Sequence, residues 1–254
     1  MAGNVSVLED ANEKSLKAAK DFAPKEEKPK AEEETKAQSK LEFPSVLLLV
    51  AMASEREKIV KPALKKLGLL GREDIWVITT GIGKVNATLS TAMVLTAVNS
   101  INPQKFPTCL CVNVGVCGGN EIAAREFPAV QINRVVNNDF DTGVVTEGFK
   151  KQVIDITTEV VGMKTCLTQD HFCVDTSELP NDGKPYYVDM ELFGIASACG
   201  QFGVRCSALK SVVDQVGSEA QPSEYKERFD AACERAAELL SEYLSTCTDV
   251  VLTD

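Results

Sequence analysis

Apolar runs alternate with helically spaced segments along most of the chain. The run SVLLLVAM at 45–52 is continuously apolar, which is typical of a strand covered on both faces. The next segment is predicted to form a helix that begins at Ser54 and ends at Gly68. Further helices are predicted from Lys84 to Ser100, from Glu191 to Phe202 and from Ser223 onward, and further strands at 74–80, 108–114, 129–136, 163–169, 186–190 and 205–214.

This alternation predicts an α/β fold. Strands that alternate with helices favour a three-layer α-β-α sandwich around a mixed, mainly parallel twisted sheet. Ligands in such folds bind at the carboxyl ends of the strands, so the residues at those ends are the first candidates for a functional site.

The organisation of the chain changes near residue 43. Residues 1–42 are rich in lysine and glutamate and contain few bulky apolar side chains. Such a segment buries too little surface to offset its ordering entropy, so we expect a disordered charged tail. Residues 43–254 are expected to form a single domain.

Composition narrows the class of protein. The chain has 254 residues, of which 44% are hydrophobic and 25% charged, which excludes collagen-like, coiled-coil and wholly disordered proteins. No apolar run approaches the roughly 20 residues that span a bilayer. The N-terminus has no apolar signal segment, so we expect a cytoplasmic protein. The net charge of −10 disfavours nucleic acids and anionic membrane surfaces as partners.

The cysteine and histidine content disfavours metal and triad chemistry. Nine cysteines in a cytoplasmic chain are expected to stay reduced. Cys109, Cys111 and Cys117 are better explained as buried thiols of an apolar strand region than as metal ligands. His171 is the only histidine, so zinc sites based on histidine and Ser-His-Asp triads are disfavoured. The chemistry is therefore expected to depend on carboxylates.

Residues at several strand ends can be interpreted either as structural or as functional. Glu55 opens the helix after the first strand, where it is either a site residue or a charge favoured by the helix dipole. Glycine-rich segments follow the second and third strands at 81–84 and 113–119. They lack the pattern of a dinucleotide loop, and either form tight turns or let the backbone approach a ligand. Glu191 and Asp214 stand at two further strand ends, and desolvation at Asp214 would raise its pKa and suit it to general acid catalysis.

The motifs AMASE, GIGKVNA, NVGVCGG, TQDHF, VDMELFGIA and LKSVVD follow one another in this order. In content and order they resemble the purine nucleoside and uridine phosphorylase superfamily. Within it the chain is most similar to the 5′-methylthioadenosine/S-adenosylhomocysteine nucleosidases, with the plant-type branch most similar at LKSVVD. The resemblance covers most of residues 43–245. It implies a nucleoside phosphorylase-like fold, a small-molecule nucleoside as substrate, a homodimer, and no metal or organic cofactor.

The resemblance also implies roles for individual residues. Asp214 matches the general acid that protonates the purine at N7, and Glu55 matches the glutamate that activates the attacking water. For substrate binding, the resemblance implies that Phe172 stacks on adenine and that the backbone of Cys173 meets the base edge. Met190 is expected beneath the ribose, and the carboxylate of Glu191 is expected to hold the sugar hydroxyls. Cys117 and Gly118 supply the close backbone of the glycine-rich segment.

The expected activity is hydrolysis of the N-glycosidic bond of adenine nucleosides, with release of adenine. Protonation of the purine improves the leaving group, while carboxylates stabilise the positive charge that develops on the sugar. A phosphate-dependent phosphorylase stays open as an alternative, although Glu55 would repel phosphate. A non-catalytic nucleoside-binding paralogue is the other alternative, because Val116 and Val213 replace the hydroxyl residues that are usual in the family.

Overall fold

The computed structural model describes residues 43–140, 152–156 and 163–247, so the expected tail at 1–42 lies outside the described residues. Helix α1 consists of Ala53–Glu55, a π-helical stretch Arg56–Val60, and Lys61–Lys66. The other helices are α2 Lys84–Ile101, α3 Glu121–Glu126, α4 Leu192–Phe202 and α5 Gln221–Thr246. The strands are β1 Val46–Val50, β2 Ile75–Thr79, β3 Leu110–Gly119, β4 Ala129–Ile132, β5 Arg134–Asn137, β6 Val153–Asp155, β7 Thr165–Thr168, β8 Tyr186–Asp189 and β9 Arg205–Gln215.

The described strands form one mixed sheet. Its order is β2-β1-β3-β8-β7-β5-β6, while β9 pairs with both β3 and β4. The pairs β1–β2, β1–β3, β3–β9, β5–β7 and β7–β8 are parallel. The pairs β3–β8, β4–β9 and β5–β6 are antiparallel. The prediction of a mixed, mainly parallel sheet is confirmed.

Strand β1 shows why its sequence is apolar at every position. Val46, Leu48 and Val50 pack against α1 and α5 on one face of the sheet. Leu47 and Leu49 pack against α2 and α4 on the other face. Each fully buried aliphatic side chain of this kind contributes about 1.5–3 kcal/mol to folding. The sheet is therefore covered on both faces, which confirms the predicted three-layer sandwich.

Two predicted elements differ from the structure. The glycine-rich segment 113–119 is not a turn, because β3 continues in extended conformation to Gly119. It stays extended because its backbone pairs with β9 as far as Gln215, across a bulge between Cys117 and Gly118. The predicted strand 129–136 is two strands, since β4 pairs with β9 and β5 pairs with β7.

The last helix is amphipathic, as the sequence pattern predicts. Ala232, Ala236, Leu240 and Leu244 are buried on one side of α5. Among the residues that the structure describes, no helix combines the length and apolarity needed to cross a membrane.

Candidate active site

A cavity of about 400 Å³ lies where the segment after β1 meets the ends of β3, β8 and β9. The beginning of α5 and residues 171–173 close it from the other side. The structure brings all eight sequence-predicted site residues to this one cavity: Glu55, Cys117, Gly118, Phe172, Cys173, Met190, Glu191 and Asp214. The strand-end rule indicated Glu55, Glu191, Asp214 and the glycine-rich segment, while Phe172, Cys173 and Met190 came from the family resemblance.

Glu55 is a buried carboxylate held by three peptide N–H groups. Its Oε2 accepts hydrogen bonds from Ala51 N and Met52 N, both at 3.0 Å, and its Oε1 accepts one from Val116 N at 3.0 Å. Burial raises the pKa of Glu55, while these donors and the charge of Lys210 oppose the rise. A Cβ on Gly115 would lie 2.6 Å from Oε1, so only glycine leaves space for the carboxylate there.

Asp214 is buried like Glu55, but it lacks the peptide donors that surround Glu55. Its side chain is near the end of β9, the residue is 1% exposed, and neither carboxylate oxygen has a hydrogen-bond partner among the described residues. Burial raises the pKa of Asp214 to about 6, although the nearby Gln221 amide opposes the rise. Gly118 lies opposite Asp214 in the β3–β9 register, and a Cβ there would approach Oδ1 to 2.9 Å.

Glu191 lies at the start of α4 and reaches across the cavity to the beginning of α2. Its Oε1 accepts a hydrogen bond from Gly83 N at 3.0 Å. Gly83 has a φ of +94°, a conformation that glycine adopts without strain. Burial, followed by the charge of Asp189, raises the pKa of Glu191 to about 7. The second oxygen of Glu191 has no hydrogen bond within the described part of the chain, so it is open to a ligand.

A buried ion pair between Lys210 and Asp189 supports these carboxylates, and sequence reasoning missed it. Lys210 Nζ lies 2.7 Å from Asp189 Oδ2, and both side chains are almost fully buried. Burial alone would lower the pKa of Lys210, but Asp189 and its other acidic neighbours hold the pKa above its usual value. The signal was a lysine within the apolar strand sequence of β9, which demands a buried acid.

Asp189 lines the cavity at the end of β8 and links β8 to β7 and α4. Its Oδ1 accepts a hydrogen bond from Thr168 Oγ1 at 2.6 Å, and its Oδ2 accepts one from Leu192 N at 2.9 Å. Thr168 Oγ1 in turn accepts from Phe193 N at 3.1 Å. The turn Met190–Glu191 between β8 and α4 is thereby fixed at both of its ends.

Aromatic side chains form one side of the cavity. Phe172 is 46% exposed and contacts Tyr225 edge to face, with ring centroids 6.1 Å apart. Tyr225 is a further residue that the sequence analysis missed, and it also lines the cavity. Burial, together with Glu55 and Asp214, raises the pKa of Tyr225 to about 12, so its hydroxyl stays protonated. The Cys173 carbonyl accepts a hydrogen bond from Gln221 Nε2 at 2.7 Å.

His171 lies at the edge of the cavity, and its ring contacts the side chains of two other residues. Its Nε2 lies 2.7 Å from Glu178 Oε2 and 2.9 Å from Gln169 Nε2. Cys109, Cys111 and Cys117 are free and buried, as predicted. Within 43–140, 152–156 and 163–247, no cluster of three or more potential ligands is arranged to hold a metal ion.

Known proteins resemble this chain both in sequence and in fold. The sequence pattern of the Phosphorylase superfamily matches residues 66–245, which is more than half of the chain. The chain belongs to this superfamily. The 5′-methylthioadenosine/S-adenosylhomocysteine nucleosidase of Geobacillus sp. (strain WCH70) is 26% identical over 229 residues, which cover 79% of this chain and 94% of the relative. The nucleosidase of the same name from Exiguobacterium sp. is 27% identical and covers 67% of this chain and 78% of its own.

Solved structures share the fold. The 5′-methylthioadenosine/S-adenosylhomocysteine nucleosidase of Helicobacter pylori with butyl-thio-DADMe-Immucillin-A has a TM-score of 0.62 at 20% identity, covering 81% of this chain and 100% of its own. The futalosine hydrolase of Helicobacter pylori has a TM-score of 0.63 at 19% identity, covering 80% and 98%. The predicted membership of the superfamily is confirmed, and so is the resemblance to its 5′-methylthioadenosine/S-adenosylhomocysteine nucleosidases. Assignment to the plant-type branch stays a prediction.

Proposed function

We propose that this enzyme hydrolyses the N-glycosidic bond of adenine nucleosides, with 5′-methylthioadenosine, S-adenosylhomocysteine or both as substrates. The observation that carries the proposal is the contrast between two buried carboxyl groups on one cavity. Asp214 has no donor and a raised pKa, whereas Glu55 is surrounded by three peptide donors. Burial raises the pKa of both acids, but only Glu55 has three peptide donors that oppose the rise, and this difference suits the two groups to base and acid roles in one reaction.

Asp214 is the general acid of the proposed reaction. Its burial raises the pKa to about 6, so the carboxyl group is protonated below that pH and a minor fraction of the enzyme still carries the proton at neutral pH. Transfer of this proton to N7 of the purine lets the base leave as a neutral molecule when the bond to the sugar breaks. The electron pair of that bond stays with the base, and the sugar becomes cationic.

Glu55 is the residue that activates water. Burial raises the pKa of Glu55, and the three N–H donors oppose this rise because a protonated carboxyl would lose part of these hydrogen bonds. Oε2 already accepts two hydrogen bonds and Oε1 only one, so Oε1 can accept another from water. The water adds to the cationic sugar carbon and gives its proton to Glu55.

The remaining residues bind the substrate. The free oxygen of Glu191 accepts hydrogen bonds from sugar hydroxyls, and Met190 packs beneath the ribose. Adenine stacks on the exposed face of Phe172, and the backbone of Cys173 meets the base edge. Cys117 and Gly118 supply the close backbone at the floor of the cavity, next to Asp214.

The charge of the cavity favours water over phosphate as the nucleophile. The described residues that line it include Glu55, Asp189, Glu191 and Asp214, and none is a lysine or an arginine. Lys210 lies behind the surface and is paired with Asp189. A phosphate dianion would therefore meet carboxylates without a free cation.

The test is release of adenine from 5′-methylthioadenosine, S-adenosylhomocysteine and adenosine, each with and without phosphate. We expect release that does not depend on phosphate, because the cavity presents Glu55 rather than a cation to the nucleophile. Protein from cells that lack their own nucleosidase avoids background activity. Release only in the presence of phosphate would establish a phosphorylase instead. Binding of nucleosides without any release would indicate the non-catalytic paralogue.

We also propose that the protein is a homodimer that pairs through α2. Val85, Leu89 and Met93 are spaced four residues apart on this helix and are 68%, 58% and 73% exposed. An apolar stripe of this kind is costly in water and typical of a protein interface. Ile82, which lines the cavity, is also exposed at the start of the same stripe.

Sedimentation velocity tests the dimer. The protein should sediment as a dimer at micromolar concentration, and Leu89→Glu should convert it into monomers because a buried carboxylate has no partner at such an interface. Leu70→Glu is the matched control, since Leu70 is 56% exposed and lies outside α2. A wild-type protein that remains monomeric at high concentration would contradict the proposal.

A further inference from the structure

Lys84, the first residue of α2, joins three separate segments beside the cavity. Its Nζ donates a hydrogen bond to Asn137 Oδ1 at 2.8 Å and forms ion pairs with Asp139 and, at 3.5 Å, with Asp170 Oδ2. The side chain is only 16% exposed. Asn137 ends β5, and Asp170 follows β7. The contacts therefore connect parts of the chain that are far apart in sequence.

Asp170 and Asp139 complete a closed network. Asp170 Oδ1 accepts a hydrogen bond from Lys84 N at 2.9 Å, which places a carboxylate at the N-terminus of α2. Asp139 Oδ2 accepts a hydrogen bond from Asp170 N at 2.9 Å. Each of the three residues thus contacts the other two. Burial would raise the pKa of Asp139, but Lys84 and the peptide of Asp170 outweigh it and hold the pKa below its usual value.

The network lies outside the cavity, yet two of its segments continue directly into it. Lys84, Asp139 and Asp170 do not line the cavity. Gly83, immediately before Lys84, donates its N–H to Glu191, and Ile82 lines the cavity. Asp170 is followed by the cavity residues His171, Phe172 and Cys173.

We propose that Lys84, Asp139 and Asp170 form a positioning clamp that sets the distance between the Gly83–Glu191 contact and the aromatic platform at Phe172. This inference rests on the proposed nucleosidase function, in which Glu191 holds the sugar and Phe172 holds the base. A nucleoside bridges these two groups, so its binding depends on their spacing. The three mutual contacts join segments that are distant in sequence and that each continue into or lie beside the cavity, an arrangement suited to alignment of the two binding groups.

The first test follows amide hydrogen exchange in the free protein. In Lys84→Met, peptides that cover 81–84 and 169–174 should exchange faster than in the wild type, because the donors at Lys84 N and Asp170 N lose their fixed acceptors. Lys84→Arg should restore most of the protection. Arg134→Met is the matched control, since Arg134 forms its ion pair with Asp155 away from the cavity. Unchanged exchange at both segments in Lys84→Met would overturn the clamp, whatever the enzyme hydrolyses.

The second test uses steady-state kinetics with 5′-methylthioadenosine. Lys84→Met should raise KM about tenfold and change kcat much less, since misplaced binding groups weaken the ground state and the transition state alike. Lys84→Met combined with Asp170→Asn should be no worse than the more severe single variant, because both break the same network. A lower melting temperature with unchanged KM would assign Lys84 a merely structural role and overturn the proposal. If the wild type lacks hydrolytic activity, the proposed function fails, and hydrogen exchange still decides the clamp.

Discussion

Replacing Asp214 by asparagine is expected to lower kcat for adenine release by about 10²–10⁴-fold, the contribution typical of a positioned general acid. The amide is nearly isosteric with the carboxyl group but has no acidic proton for the purine. The fold should survive, because neither oxygen of Asp214 has a hydrogen-bond partner among the described residues. The measurement is kcat at saturating nucleoside. Asp155→Asn is the matched control, since Asp155 is an exposed residue of β6 that pairs with Arg134.

The same substitution has a predicted signature in stability. Burial raises the pKa of Asp214 from 3.8 to about 6, so the folded state binds this proton more tightly than the unfolded chain. The wild-type free energy of unfolding therefore decreases as pH rises from about 4 to about 6 and stays lower above that range. Asp214→Asn removes this dependence. Its melting temperature should exceed that of the wild type above about pH 6, and the difference should vanish below about pH 4.

The activity of the wild-type enzyme should also depend on the proton of Asp214. In the wild type, kcat/KM should fall about tenfold per pH unit above about pH 6, as the general acid of the free enzyme loses its proton. Near-normal turnover of Asp214→Asn, or a pH profile without this decrease, would remove Asp214 from the mechanism.

Glu55→Gln is expected to lower kcat by a similar factor, about 10²–10⁴-fold, while adenine still binds. The amide oxygen can accept from Ala51 N and Met52 N, but the amide nitrogen then faces the N–H of Val116 and cannot accept a proton from water. Single-turnover release of adenine measures the chemical step, and calorimetry with adenine measures binding. The two together separate lost chemistry from a lost cavity.

Two outcomes distinguish the role of Glu55 from that of a structural anchor. Glu57→Gln is the control, because Glu57 is exposed in the same helical segment and pairs with Lys61. Loss of adenine binding in Glu55→Gln would show that the segment after β1 has rearranged, and Glu55→Asp, which keeps the charge, would then be needed to test the chemistry. Full turnover in Glu55→Gln with adenine binding intact would exclude Glu55 as the group that activates water.

Much of the fold and the cavity could be predicted from the sequence, because the pattern of apolar and polar residues depends on the local burial of each strand and helix. The apolar run at 45–52 contains β1, whose side chains are buried on both faces of the sheet, so the sequence alone indicated that both faces are covered. Glu55 and Glu191 follow strands and Asp214 lies near the end of one, and these strand ends meet in the sheet, so the proximity of the three acids followed from the topology.

The missed features depend on partners that are distant in sequence. The glycine-rich end of β3 resembles a turn, and only its pairing with β9 keeps it extended. The segment 129–136 divides into two strands because β4 and β5 find different neighbours, which a single apolar pattern does not reveal. Lys210 signals a buried acid, but the choice of Asp189 depends on how β8 and β9 lie in space.

Gly115 and Gly118 have a consequence for how such an enzyme could diversify. Any larger side chain at either position would occupy the space of Glu55 or Asp214, so the floor of the cavity is closed to gradual change. Ile82 and His171 are exposed at the rim, and the proposed function assigns neither of them to the base, the sugar or the reacting bond. New preferences for the 5′ substituent are therefore expected to arise at the rim by small steps, while the bond that is cleaved stays the same.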